Sequence, residues 1–249
     1  MNVGGESLSW WLPVRYALPV LLALVVILAF PVTRGMRDAT ARRKYWQVQL
    51  VTLLGAIAGA KLVVLMGDQL WPVVPLHDWT EILTTGRSIV GGLIFGFLAA
   101  EIAKPLLGYS LPPNDRFATV LPFSFAIGRI GCFLQGCCRG IEHDGLLSVT
   151  YSDGIARHPV QLFEAAFNVA IGIAFVILLR RGALRHRFFA TYLIAYGVYR
   201  FATEFIRATP HPLYGYSVYQ LFAVVMVLLG VASFVLRTPA VDRMEEAHA

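Results

Sequence analysis

The stretch that decides the fold is residues 117–138, FATVLPFSFAIGRIGCFLQGCC, in which Arg129 is the only charged side chain. Its length is close to the ~20 residues that a helix needs to cross a bilayer. A charge at bilayer depth costs at least ~2.5–3.5 kcal/mol, and it normally faces the protein interior or a water-filled cavity. The stretch therefore predicts a transmembrane helix whose buried arginine has a function.

The composition of the whole chain also favours a membrane protein. Of its 249 residues, 57% are hydrophobic and 14% are charged, whereas soluble domains carry about 25% charged residues. We predict an all-α, polytopic membrane protein, in which seven transmembrane helices and short external loops form a single transmembrane domain over residues 1–249. The predicted spans are residues 11–32, 46–66, 88–108, 117–138, 159–180, 188–207 and 217–237.

The basic residues of the predicted loops indicate the orientation. They concentrate after the first, third, fifth and seventh spans, which places them on one side of a seven-span protein. The positive-inside rule then puts the N-terminus outside and the C-terminus in the cytoplasm. Since the net charge of +6 is spread over alternating loops, we expect a bilayer and no nucleic acid as partner. These basic residues are Arg34, Arg37, Arg42, Arg43, Lys44, Lys104, Arg116, Arg180, Arg181, Arg185, Arg187, Arg237 and Arg243.

A second group of polar residues lies in the sixth predicted span. Tyr196, Arg200 and Glu204 are spaced four residues apart, and Arg207 follows, so a continuous helix would place all four on one face. The planar fork of an arginine suits phosphate, which predicts a phosphate-bearing ligand such as a phospholipid in a chamber shared with Arg129. Alternatively, the Arg200–Glu204 pair only joins helices.

Further polar residues flank the loop between the fourth and fifth spans. Gln135 adjoins the helical face of Arg129, and Gln161 and Glu164 begin a polar stripe in the fifth span. His158 precedes that span and is a candidate base near neutral pH, because its side chain titrates there. A histidine at this position is alternatively a helix-end hydrogen-bonding group.

The three cysteines, Cys132, Cys137 and Cys138, are too few for a disulfide framework. The adjacent cation Arg139 favours a thiolate, which makes redox or metal chemistry conceivable. Because the sequence has no C-x-x-C pair and no histidine at metal-ligand spacing, we favour packing of small apolar side chains. We therefore expect no metal and no cofactor.

Four segments, taken in order, resemble the prolipoprotein diacylglyceryl transferase family. They are Gly91-Gly-Leu-Ile94, the segment from Gly128-Arg-Ile-Gly131 to Gly140, His158-Pro-Val-Gln-Leu-Phe-Glu164, and Tyr196-Gly-Val-Tyr-Arg-Phe-Ala-Thr-Glu-Phe-Ile-Arg207. The resemblance implies an enzyme of the bacterial plasma (inner) membrane that acts in lipoprotein maturation. Such a transferase would move the diacylglyceryl group of phosphatidylglycerol to the lipobox cysteine of a secreted prolipoprotein and release glycerol phosphate.

The resemblance also implies roles for individual residues. Arg129 and Arg200 would bind the phosphate, Tyr196 would position it, and Gly140 would shape the site. The predicted catalytic residues are Arg129, Arg200, Tyr196, His158 and Glu164. The predicted substrate-binding residues are Gly91, Gly92, Arg129, Gln135, Gly140, Gln161, Tyr196, Arg200, Glu204 and Arg207.

The chain departs from the family pattern at five positions. Val90 stands where the family has a histidine, and Phe163 where it has a tyrosine. Cys132 and Gln135 replace two asparagines, and Cys137 replaces an acidic residue. If the family histidine is the base, His158 or Glu164 must substitute for it. The alternatives are a phospholipid headgroup or phosphoglycerol transferase with a non-thiol acceptor, and a non-catalytic lipid-binding or transport protein.

Overall fold

The computed structural model describes residues 39–69, 88–109 and 115–246. The predicted first span and most of the loop at 67–87 lie outside the described residues. The described chain divides into two compact units. The first contains residues 115–188 and 205–208, and the second contains the described residues before 110 together with 189–204 and 209–246.

The described residues form mainly α-helices, joined by loops and one short hairpin. In chain order the elements are α1 (Ala39–Val64), a π-helical turn (Leu65–Gln69), α2 (Ile89–Leu106), α3 (Asp115–Gln135), β1 (Val149–Thr150), β2 (Ala156–Arg157), α4 (Val160–Arg180), α5 (Phe188–Thr203), a 3-10 turn (Glu204–Ile206) and α6 (Val218–Glu246).

Within the described ranges, five segments are long and apolar enough to cross a bilayer: Ala39–Gly67, Ile89–Leu106, Phe117–Gln135, Val160–Arg180 and Val218–Leu236. This confirms an all-α, multi-pass membrane protein, while the count of seven spans stays a prediction. The sixth predicted span corresponds to α5, which has 16 residues. Because α5 ends at Thr203 and a 3-10 turn follows, the prediction of one continuous helical face from Tyr196 to Arg207 is wrong.

Glycines bring α1 and α2 together in the second unit. A Cβ added to Gly91 would overlap the carbonyl oxygen of Gly59. Gly92 faces the same helix at ordinary distance, since its Cβ would lie 3.6 Å from the oxygen of Ala56. Small residues allow helices to approach closely in lipid, where no hydrophobic force drives them together. Packing thus accounts for Gly91, and the predicted substrate contact of the glycine pair stays a prediction.

The α4 helix of the first unit buries its polar residues and exposes apolar ones. Gln161, Glu164 and Asn168 are fully buried, whereas Ile173 and Ile177 are about half exposed. This distribution is the one expected when lipid surrounds a helix and the protein interior holds the charges. The buried polar stripe predicted from the sequence is confirmed.

Residues 139–158 form a hairpin that leads into α4. Val149 pairs with Arg157 in antiparallel register. At its turn the Asp153 carboxylate accepts hydrogen bonds from Arg139 Nη1 at 2.6 Å and Arg157 Nη1 at 2.7 Å. The Arg139 guanidinium also lies 5.0 Å from the centre of the Tyr151 ring. These contacts fix the loop that delivers His158 to the start of α4.

Candidate functional site

In the first unit, one carboxylate holds two arginines. Glu164 Oε1 lies 2.8 Å from Arg129 Nε, and its Oε2 accepts a hydrogen bond from Arg207 Nη1 at 3.2 Å. Glu164 is fully buried, and the two arginines are only 7% and 6% exposed. Glu164 thus fixes two guanidinium groups in a place that water hardly reaches. Guanidinium groups held in this way are suited to bind an oxyanion.

Gly140 connects the loop at 139–158 to the segment that carries Arg207. Its N–H donates to the carbonyl of His158 at 3.1 Å, and the N–H of Ile141 donates to the carbonyl of Ile206 at 3.0 Å. A Cβ at Gly140 would lie 2.6 Å from the His158 oxygen and 2.8 Å from the Ile206 oxygen. Only glycine therefore fits, which gives a physical reason for the family motif that ends there.

His158 lies next to this backbone junction. Its ring stacks on His143 with the centroids 4.0 Å apart, and its Nδ1 is buried without a hydrogen-bond partner among the described residues. Burial, and secondarily the charge of His143, lowers the pKa of His158. The imidazole is therefore neutral near pH 7 and can accept a proton. Its catalytic use stays a prediction.

The side-chain amide of Gln161 connects the start of α4 to the segment between α3 and α4. The amide Nε2 donates to the carbonyl of Cys137 at 2.5 Å, and Oε1 accepts a hydrogen bond from the Tyr151 hydroxyl at 3.0 Å. These contacts explain its burial without a ligand. Gln135, by contrast, is exposed at the end of α3. The substrate contacts predicted for both glutamines stay predictions.

The three cysteines converge at the C-terminal end of α3, where Cys132 lies in the last turn and Cys137 and Cys138 follow the helix. Their sulfur atoms all lie within 4.8 Å of one another, and Cys132 Sγ is 4.0 Å from Arg129 Nη1. Cys138 adopts the left-handed region with φ of +56°, which costs a residue other than glycine about 1–3 kcal/mol. Hydrogen bonds from Cys132 and then Cys137 lower the pKa of the Cys138 thiol. Since Cys138 is exposed, apolar packing alone does not explain this arrangement.

The second unit contains its own arginine–carboxylate pair. Arg200 Nη2 lies 2.8 Å from Glu204 Oε2. Both side chains are buried, and Glu204 Oε1 accepts hydrogen bonds from Thr209 Oγ1 at 2.7 Å and Ser217 Oγ at 3.0 Å. The carboxylate is thus held by three groups, which fixes the position of the arginine.

Arg200 has a guanidinium nitrogen that its ion pair with Glu204 does not use. Its Nη1 is buried and has no hydrogen-bond partner among the described residues, while its guanidinium lies 5.5 Å from the centre of the Tyr219 ring. Tyr196, one turn earlier on α5, is fully buried and stacks on Tyr192 with ring centroids 5.6 Å apart. An arginine with a fixed position and a spare donor is suited to bind an oxyanion.

Sequence reasoning missed the residues that hold Glu204 and Arg200. Ser217 and Gln220 form a capping box at the start of α6: Ser217 Oγ accepts from the Gln220 N–H at 3.1 Å, and Gln220 Oε1 accepts from the Ser217 N–H at 2.8 Å. The Ser-x-x-Gln spacing before an apolar run was a usable signal for Ser217. No comparable signal exists for Thr209 or Tyr219, because their contacts depend on tertiary packing. Arg129 and Arg200 belong to different units, so their shared chamber stays a prediction.

Comparisons with known proteins agree on one family. The family model described as prolipoprotein diacylglyceryl transferase matches residues 8–236. Similar proteins include the phosphatidylglycerol–prolipoprotein diacylglyceryl transferase of Cupriavidus necator, 29% identical over 94% of this chain and 90% of its own length. The enzyme of that name from Thermotoga maritima is 23% identical over 94% and 83%. The second such enzyme of Clostridium perfringens is 25% identical over 79% and 80%.

Replacing Glu164 with glutamine tests the charge balance of the first unit. We expect Glu164→Gln to lower the free energy of unfolding by about 3–5 kcal/mol, because it removes the negative charge that faces two buried guanidinium groups. Unfolding in detergent, followed by circular dichroism, measures the change. Glu142→Gln is the matched control, since that carboxylate is 73% exposed and lies 4.0 Å from Arg157; its effect should stay below about 0.5 kcal/mol. Equal stabilities of the two variants would contradict the buried cluster.

Proposed function

Because this chain belongs to the prolipoprotein diacylglyceryl transferase family, we propose that it attaches a diacylglyceryl group from phosphatidylglycerol to the lipobox cysteine of a secreted prolipoprotein. The chain is a membrane transferase of lipoprotein biosynthesis. The observation that carries the mechanism is the pair of buried guanidinium groups, Arg129 and Arg207, that Glu164 holds in place, because a guanidinium is suited to bind the phosphate of such a lipid.

The reaction exchanges a carbon–oxygen bond for a carbon–sulfur bond. The acceptor thiol loses its proton, and the sulfur attacks the glycerol carbon that carries the phosphate. The bond from that carbon to the phosphate oxygen breaks, and glycerol phosphate leaves with the electron pair. Two requirements follow: a base for a thiol whose pKa is ordinarily near ~8.5, and fixed donors for the phosphate as its charge grows.

The arginines meet the second requirement. Arg129 and Arg207 are already placed by Glu164, so they need no reorganisation when the leaving group becomes more negative. Arg200, placed by Glu204, supplies its unused Nη1 to the same type of oxyanion. Tyr196, one turn before Arg200 on the same helix, would help to position the phosphate. A guanidinium is preferable to an ammonium here, because its planar fork binds two phosphate oxygens at once.

His158 is the best candidate for the base. The family's histidine is absent, since the fully buried Val90 occupies its position. Glu164 is committed to two arginines and is therefore a poor proton acceptor. His158 has a lowered pKa and an Nδ1 without a described partner, so it is neutral and available at physiological pH. The hairpin at 139–158 would then face the outer side of the inner membrane, where secreted prolipoproteins emerge, with the N-terminus outside and the C-terminus in the cytoplasm.

Substituting Arg200 tests the phosphate contact. We expect Arg200→Gln to slow lipid transfer by about 100-fold or more, as is typical when one transition-state donor is removed. Attachment of diacylglyceryl to a synthetic lipobox peptide, with phosphatidylglycerol as donor, measures the rate. Arg181→Gln, which changes an exposed arginine, should keep the wild-type rate. Arg200→Lys retains the charge beside Glu204 and guards against a mere folding defect; full activity in either Arg200 variant would exclude the proposed contact.

The pH profile tests His158. A base must be neutral, so kcat/KM should fall as the pH drops through the pKa of His158, below the ordinary histidine value of ~6.5. His158→Gln should remove this acid limb and reduce the rate by about 100-fold or more. His143→Gln, which removes part of the cause of the lowered pKa, should move the limb to higher pH. An unchanged acid limb in His158→Gln would show that another group is the base.

A further inference from the structure

All three cysteines of this chain meet at one place, although two of them lie five and six residues beyond the first. The meeting depends on how the chain turns after α3. Gly136 and Cys138 both adopt the left-handed region, with φ of +70° and +56°, and this reversal returns Cys137 and Cys138 to Cys132. The left-handed region is unfavourable for a residue with a Cβ, so the surrounding structure must hold Cys138 in this conformation. The three thiols are free, and Cys138 is exposed.

The sulfur separations fit one thiophilic metal ion. In a tetrahedral site, a Zn–S bond of about 2.3 Å places the sulfurs about 3.8 Å apart. The sulfurs lie within 4.8 Å of one another, so a small rotation of each side chain closes the site. A disulfide needs a sulfur–sulfur distance of about 2.05 Å and would leave one thiol over. Soft thiolates select zinc over hard cations such as magnesium or calcium.

Charge also favours a metal–thiolate group at this position. The buried guanidinium of Arg129 has its Nη1 4.0 Å from Cys132 Sγ. Three thiolates around one Zn2+ ion carry one net negative charge, which a nearby guanidinium stabilises. The exposed side of Cys138 leaves room for a fourth ligand.

We propose that Cys132, Cys137 and Cys138 bind one Zn2+ ion and leave its fourth position open for the acceptor thiol. The binding of the acceptor thiol as the fourth ligand rests on the proposed function. Coordination breaks the S–H bond of the acceptor, the proton passes to His158, and the sulfur keeps the electron pair. That pair forms the new bond to the glycerol carbon as the bond to the phosphate oxygen breaks. Zinc thus activates the acceptor thiol, which the apolar side chain of Val90 cannot do.

Metal analysis of the full-length protein tests the site. We expect about one zinc per chain after purification with a reductant, as one tetrahedral site requires. Titration with Cd2+ should give the ultraviolet charge-transfer band of cadmium thiolate. Cys132→Ser and Cys138→Gly should lose zinc and weaken the band; glycine suits the left-handed φ at residue 138, so this variant should fold. His143→Ala, a potential ligand outside the cluster, should keep both. A folded wild-type protein without zinc or band, or a disulfide between any two cysteines, would overturn the proposal.

Co2+ can be substituted for Zn2+, and its visible absorption spectrum depends on the ligands that surround it. The spectrum therefore reports whether a thiol has become the fourth ligand. A lipobox peptide should alter the spectrum of the Co2+ protein when it contains cysteine and leave it unchanged when serine replaces that cysteine. Equal spectra with both peptides would overturn the open position for a thiol. A protein that gives the spectral change but transfers no lipid would overturn the proposed function and leave the metal site intact. Full transfer by zinc-free protein in the presence of a chelator would overturn the catalytic role of the metal.

Discussion

The carboxylate of Glu164 is the interaction on which the rest of the first unit depends. It lies inside a membrane-spanning helix and holds Arg129 from α3 and Arg207 from the segment after α5. Buried ion pairs add little stability, since desolvation offsets their attraction, but removing one partner is costly. The arrangement therefore matters because it fixes the positions of the two guanidinium groups. It keeps both groups buried in these positions.

The surrounding structure serves to hold these charges in place. Gly140 ties the hairpin to the backbone before Arg207, and Gln161 ties Cys137 to the start of α4. The second unit repeats the principle, because Glu204 is held by hydroxyl groups and in turn fixes Arg200. Both units place an arginine beside a buried carboxylate that at least one further side chain also contacts. Donors fixed in this way bind a developing negative charge without a reorganisation cost.

The membrane spans and the polar face of α4 were predictable from the sequence. The end of α5 and the pairing of Arg207 with Glu164 depend on tertiary contacts and were not. The length of the apolar stretches predicted the spans that the structure describes, and Gln161 and Glu164 predicted the polar stripe of α4, which the structure shows to be buried. The end of α5 at Thr203 was missed, because periodicity alone does not mark a helix end when no glycine or proline follows closely. The pairing of Arg207 with Glu164 joins residues 43 positions apart and has no local signal.

The cysteines illustrate the same limit. Their spacing lacks a metal-binding motif, and their convergence depends on a left-handed conformation at Cys138 that its residue type does not favour. The capping box of Ser217 is the opposite case, since its spacing was readable and leads directly to the partner of Glu204.

The affinity for phosphatidylglycerol tests most directly the claim that buried arginines bind a lipid phosphate. Native mass spectrometry of the purified protein can compare this lipid with uncharged diacylglycerol of the same acyl chains. We expect wild-type protein to prefer phosphatidylglycerol, and Arg129→Gln to bind it about 10-fold or more weakly, since a charged hydrogen bond contributes about 1.5–3 kcal/mol. Equal binding of both lipids by the wild type, or undiminished phosphatidylglycerol binding by a folded Arg129→Gln variant, would contradict the account.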